Sequence, residues 1–224
     1  MTRYFKRIIQ SFLVLLLPVC LYAQKDVTQF LGIPVDGFKP EMIAKLKSKG
    51  FTVNPHNKEV LTGEFNGTDV NVHIVTNNNK VYRIMVSDAN PLGEGDIKIR
   101  FNKLCQQFHN NKNYLLLSDS AKSKYTIPEE EDISYELLVN NKRYQAVFYQ
   151  KSANYDSLVA ERNTLFKKEP LDDKDKERLS EVLRKTLDVD LSKEVWFMIS
   201  SYGGKYFISI YYDNIYNKAN GEDL

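Results

Sequence analysis

Apolar and polar positions along the chain follow two periods, and the switches between them outline the predicted elements. Between Lys39 and Lys49, Met42, Ile43 and Leu46 recur at helical spacing behind Pro40. Gly50 follows the last periodic residue, so a helix is predicted with Gly50 as its C-cap and Phe51 closing over Leu46. The period then drops to two. Glu59–Phe65, Thr68–Thr76 and Lys80–Ser87 read as three strands; Asn66-Gly67 is a strong type I′ hairpin signal, and Asn77-Asn78-Asn79 joins the second strand to the third. In the middle strand Val70, Val72 and Ile74 share one face and Asn71 and His73 the other, as expected of an antiparallel sheet with one wet side.

A second helix is predicted over Asp96–Asn110, where Ile97, Phe101, Leu104, Cys105 and Phe108 repeat at helical spacing. After a polar stretch, Ile133–Val139 and Tyr144–Tyr149 read as a strand pair around Asn140-Asn141-Lys142. Helices over Tyr155–Phe166 and Lys174–Leu187 follow, the latter behind an Asp172/Asp173 cap. Val195–Ser201 and Lys205–Asp213 close the chain as strands joined through Tyr202-Gly203-Gly204. The order of elements predicts an α+β fold: antiparallel β-meander sheets covered by helices, in two loosely equivalent helix-plus-meander halves. The halves span 24–92 and 93–224, the second with a helical insertion around 154–188, and Pro91 with Gly93 and Gly95 marks the boundary.

The first 23 residues follow a different rule. Arg3, Lys6 and Arg7 precede the apolar run Ile8–Val19, and Leu21-Tyr22-Ala23 ends in a small residue, the three-part pattern of a secretory signal peptide with the mature chain starting at Gln24. The run is broken by Gln10, Ser11 and Pro18 and falls short of the roughly 20 residues of a spanning helix, so no transmembrane segment is expected after cleavage. A second reading takes Leu17-Pro18-Val19-Cys20 as a lipobox with Cys20 acylated, against which stands Val19 where such motifs carry Gly, Ala or Ser. Either way the protein is expected in the periplasm or at the cell surface.

Removing the leader changes the charge and the cysteines. It holds three of the 31 Lys and Arg and none of the 29 Asp and Glu, which leaves 28 bases against 29 acids. A near-neutral domain lacks the electrostatic basis for nucleic-acid binding. Of the two cysteines only Cys105 remains, so no internal disulfide is expected, and its place on an apolar helix stripe reads as a small buried hydrophobe rather than a nucleophile.

Candidate chemistry is sparse. His56, His73 and His109 share no ligand spacing with one another or with Cys105, and neither Glu129–Asp132 nor Asp172–Asp175 has the spacing of a calcium loop. No Gly-x-Ser-x-Gly elbow, Cys-His arrangement or phosphate-cradling glycine loop is present. No catalytic residue, metal or cofactor is therefore assigned. An envelope-polymer hydrolase assembled from scattered carboxylates and tyrosines stays open as the alternative, beside a lipid-tethered structural protein.

The aromatic residues carry more information. In the last two strands both faces are apolar: Val195, Phe197 and Ile199 against Trp196 and Met198, then Tyr206, Ile208, Ile210 and Tyr212 against Phe207 and Tyr211. A central strand pair covered on both sides is one explanation; an exposed aromatic strip of Trp196, Phe207 and Tyr211 that holds a partner is the other. Asp119-Ser120-Ala121 and Asp156-Ser157-Leu158 resemble the short O-glycosylation site of Bacteroidetes, Ser120 being the better placed of the two.

Phe30-Leu31-Gly32-Ile33-Pro34-Val35-Asp36-Gly37 resembles the opening of uncharacterised exported proteins of the Bacteroidetes, and Ile210–Asn214 with Asn220–Leu224 resembles their ending. Glu131–Glu136 followed by Tyr144-Gln145-Ala146 is similar too. The resemblance spans most of the mature chain and implies export without an activity. In topology the helix-then-meander halves are similar to modules of the beta-lactamase-inhibitor-protein type, which implies binding to other proteins. The expectation is thus a secreted or periplasmic non-enzymatic protein that binds a protein, peptide or glycan of the envelope.

Overall fold

The computed structural model describes residues 26–116 and 125–219, with the side chains of 187–190 outside the description. Two antiparallel sheets and five helices make up the described part, in chain order β1 (Gln29–Phe30), β2 (Ile33–Pro34), α1 (Lys39–Ser48), β3 (Thr52–Val53), β4 (Val60–Phe65), β5 (Thr68–Asn77), β6 (Lys80–Asp88), α2 (Glu94–Asn110), β7 (Tyr114–Leu115), α3 (Ile133–Leu138), β8 (Gln145–Gln150), α4 (Tyr155–Phe166), α5 (Asp173–Ser192), β9 (Glu194–Tyr202) and β10 (Lys205–Asp213). The α+β class read from the periodicities is the class observed.

Strands β1 and β2 form a small hairpin; the other eight form one sheet in the order β3-β4-β5-β6-β10-β9-β8-β7. The segments on either side of the expected boundary thus contribute to a single sheet, because β10 pairs along β6, with Ile210 opposite Val86 and Tyr212 opposite Ile84. The boundary residues are themselves pinned: Leu92 and Tyr206 exchange backbone hydrogen bonds at 2.7 and 3.0 Å.

One face of the sheet carries the core. Met42 and Leu46 of α1, Ile97, Phe101, Leu104 and Phe108 of α2 and Ile133 of α3 pack with Val72, Ile84, Val86, Phe148, Phe197, Ile199, Ile208 and Ile210 in one buried cluster. The α1 and α2 residues and Val72 are those that the two periods group on one face. Helix α1 ends as predicted: Gly50 has φ 98°, a value glycine adopts freely, and the Phe51 amide returns to the Leu46 carbonyl at 3.2 Å. One buried carboxylate fastens the layers. Asp88 of β6 takes both arms of the Arg100 guanidinium from α2 and the Ile208 amide of β10 at 3.0 Å.

Residues 133–138 form helix α3, not the strand expected over Ile133–Val139. Two acidic side chains decide the outcome. The Asp132 carboxylate accepts the Tyr135 amide at 2.8 Å as an N-cap, and Glu94 of α2 accepts the Ile133 amide at 2.8 Å and the Ser134 hydroxyl at 3.1 Å. Ile133 and Leu137 then face the core at helical spacing. Strand β8 finds its partner in β9 instead, with Val147 opposite Trp196.

Helices α4 and α5 pack on each other as a hairpin. Leu158 and Val182 are buried there, apart from the central cluster; the exposed Arg178 of α5 pairs with Glu161 of α4 across the helices and with Glu181 within α5. Among the described residues no helix is long and apolar enough to cross a membrane.

Candidate functional site

The face of the sheet turned away from the central cluster is built by alternation. With Val195, Phe197 and Ile199 directed into the core, β9 presents Glu194, Trp196, Met198 and Ser200 on the other side; β10 presents Phe207, Ser209, Tyr211 and Asp213. Antiparallel register sets Tyr211 opposite both Trp196 and Met85, and His73 opposite Met85. Trp196, Phe207 and Tyr211 are each half-buried.

Trp196 and Tyr211 stack, with ring centroids 3.9 Å apart and planes 14° from parallel. The Arg83 guanidinium of β6 lies beside the edge of that stack, 5.0 Å from the Tyr211 ring and 5.5 Å from the Trp196 ring. It is held there by Asp213, whose two carboxylate oxygens accept Arg83 Nε and Nη2 at 2.6 Å each. The indole Nε1 donates to the same carboxylate at 3.3 Å. The Asp213 hydrogen bonds hold the Arg83 guanidinium above its ordinary pKa, so the cation is permanent. Phe207 lies on the same face opposite Ser200, but four residues from Tyr211, about 13 Å along an extended strand. The aromatic residues named from the sequence thus divide into a stacked pair and an outlying ring.

Glu194 adjoins this cluster. Burial first, and the Asp213 charge second, raise its pKa, against the pull of Lys218 and Arg83. His73, half-buried on the same face, is pushed below its ordinary value by burial and by Lys39. Arg83 and Asp213 were not singled out in the sequence. The available signal was a charged residue in the middle of the strand-like run Val81–Val86.

Other sequence candidates lie elsewhere. Burial pushes the Cys105 thiol up to about 12, and the residue lines a cavity of about 470 Å³ between α2, Tyr125 and Phe148. His56 and His109 are exposed and far from the stack in the sequence of elements. In the acidic clusters, Glu131 is engaged by Lys142 and the Tyr144 hydroxyl, and Asp172 caps α5 by accepting the Asp175 amide at 2.8 Å. Ser157, in the first turn of α4, donates to the Asn154 carbonyl at 2.8 Å. The signal segment 1–23, Cys20, Ser120 and the tail 220–224 lie outside the described residues. No three His, Cys, Asp or Glu side chains among the described residues gather as metal ligands.

The stack, the guanidinium fixed by Asp213 and the half-buried Glu194 thus lie together on this face of the sheet. Comparisons with protein-family models, with curated proteins and with solved structures find no match to this chain.

Proposed function

We propose that this is an exported, non-enzymatic binding protein of the periplasm or cell surface that holds an envelope protein, peptide or glycan on the open face of its sheet. One observation carries the reading: Trp196 and Tyr211 stack, half-exposed, beside an arginine that Asp213 immobilises. Aromatic and arginine side chains dominate the energetics of binding surfaces because they offer large area at low entropic cost. Here both rings and the guanidinium are already ordered, so a partner would meet a surface with little freedom left to lose.

Trp196 is the chain's one tryptophan, which makes its emission a direct report on this face. The mature chain from Gln24, immobilised, is expected to retain a specific component from envelope extract, and the purified component should shift Trp196 emission on titration. Tyr211→Ala should weaken capture at least tenfold, as truncation of a central aromatic does. Capture that is unchanged in both Trp196→Ala and Tyr211→Ala would move the binding site off this face.

A further inference from the structure

Residues 26–30 are seated on the rest of the chain as a bound peptide is seated on a receptor. Lys193 Nζ donates to one oxygen of the Asp26 carboxylate at 2.6 Å, and the Ala153 amide donates to the other at 3.0 Å. Gln150 clamps the backbone: its side-chain oxygen accepts the Gln29 amide and its Nε2 donates to the Gln29 carbonyl, both at 2.7 Å. Thr28 Oγ1 donates to the Asp213 carbonyl at 2.5 Å, and the fully buried Phe30 ring lies 5.2 Å from Phe65 and 5.0 Å from Tyr212. Main-chain hydrogen bonds, a charge clamp and a side-chain pocket are the means by which extended peptides are recognised.

The hydrogen-bond partners of this arm are distant in sequence, 121 to 185 residues further along the chain. Its tie to its own neighbourhood is the β1–β2 hairpin, in which Gln29 faces Pro34 and Phe30 faces Ile33, with the Val35 amide on the Thr28 carbonyl at 2.8 Å. The groove contacts do not depend on which copy of the chain supplies the arm. An arm from a second copy meets the same lysine, the same glutamine and the same ring pocket.

The loop that closes the hairpin is strained. Both of its residues have positive φ, 52° at Leu31 and 76° at Gly32. The two-residue loops Asn66-Gly67, Asn78-Asn79 and Gly203-Gly204 meet the same requirement with Asn and Gly, which adopt it readily. Leucine is disfavoured there by contact between its side chain and its own backbone. Core burial does not account for the choice, because Leu31 is 39% exposed. Opening the hairpin returns Leu31 to extended backbone, and short hinge loops under strain are the ones that invite exchange of an element between copies.

We propose that two copies of this chain associate by exchanging residues 26–30. The hairpin opens at Leu31-Gly32, and each arm crosses to the groove of the other copy, where Asp26 meets Lys193, Gln29 meets Gln150 and Phe30 enters the pocket beside Tyr212. The arm contacts are the same before and after exchange, so the gain lies in the hinge, where the strain at Leu31 is released twice in a two-fold dimer. The inference does not rest on the open-face reading, because association of the purified chain is its readout and no envelope component takes part.

Sedimentation equilibrium of the chain from Gln24 tests this. The wild type is expected to pass from monomer to dimer as concentration rises. Leu31→Asn, which relaxes the closed turn, should raise the dimer dissociation constant at least tenfold, the penalty of one leucine in the left-handed region. Leu31→Pro, with φ fixed at about −65°, cannot close the turn and should be dimeric at every concentration measured. Adding Asp26→Lys to Leu31→Pro sets two cations against each other in the exchanged groove and should dissociate that dimer, whereas a dimer formed through another surface would keep its affinity. A wild type that stays monomeric up to its solubility limit, a wild-type dissociation constant in Leu31→Asn, or a Leu31→Pro dimer indifferent to Asp26→Lys would each overturn the proposal.

Discussion

Trp196 on β9 and Tyr211 on β10 face each other across the strand pair with ring centroids 3.9 Å apart, and the carboxylate of Asp213, two residues beyond Tyr211, receives the indole N–H at 3.3 Å. A single carboxylate thus ties the stack to Arg83, 130 residues earlier in the chain. The order of this face depends on that one side chain.

Asp213→Asn should therefore be costly. The Asp213 side chain is 4% exposed and the Arg83 side chain 21%, so the substitution leaves a poorly solvated guanidinium without its counter-charge. A loss of about 2–4 kcal/mol is expected from chemical denaturation. Trp196 emission should change in the folded state as the acceptor of the indole N–H loses its charge. Removing both charges together, as Arg83→Met with Asp213→Leu, should recover most of the stability.

Glu194 gives the protein a pH dependence of definite sign. Its folded pKa is raised above the ordinary 4.5, chiefly by burial, so through the range just above 4.5 the folded state holds the proton more firmly than the unfolded state. Stability contributed by this group falls as pH rises through that range and stays reduced above it. Glu194→Gln should be more stable than wild type at pH 7 and match it near pH 4, as denaturation midpoints at the two pH values will show.

Gly63 in β4 is required by packing. A Cβ built there would stand 2.7 Å from Cδ1 of Phe51, a ring that is itself 3% exposed and enclosed in the core. Gly63→Ala should cost about 1–3 kcal/mol through forced displacement of that ring. Pairing the change with Phe51→Leu should return part of the loss in the same denaturation measurement.

Cys105 should behave as an inert thiol. With its pKa pushed up to about 12, on the order of one molecule in ten thousand carries the thiolate at pH 8. Labelling by iodoacetamide is expected to be far slower than for a free cysteine in native buffer and to accelerate with denaturant along the unfolding curve. Rapid native labelling would place the thiol in an opened local structure.

Much of the fold was legible because most of its elements are stabilised locally. The apolar spacing of Ile97, Phe101, Leu104 and Phe108, the Asn66-Gly67 turn and the alternation of Val70, Val72 and Ile74 each concern residues within a few positions of one another. The α+β class follows from their order. Residues 133–138 escaped this reading because their short apolar run fits either period; Asp132 caps the helix locally, and Glu94, 39 residues earlier, takes the Ile133 amide as well.

The order of the strands and the composition of both candidate sites lie beyond the reach of the sequence by itself. Nothing local to Lys205–Asp213 says that the last strand will lie against Lys80–Asp88 rather than remain with its own half. That pairing brings Arg83 to Asp213 and Asp88 to the Ile208 amide, and it lets Tyr212 meet Phe30. Periodicity fixes which face of an element a residue occupies, since the backbone geometry within one element imposes it. Which residues of other elements share that face depends on long-range strand pairing and side-chain packing, and these are decided only when the whole chain is closed.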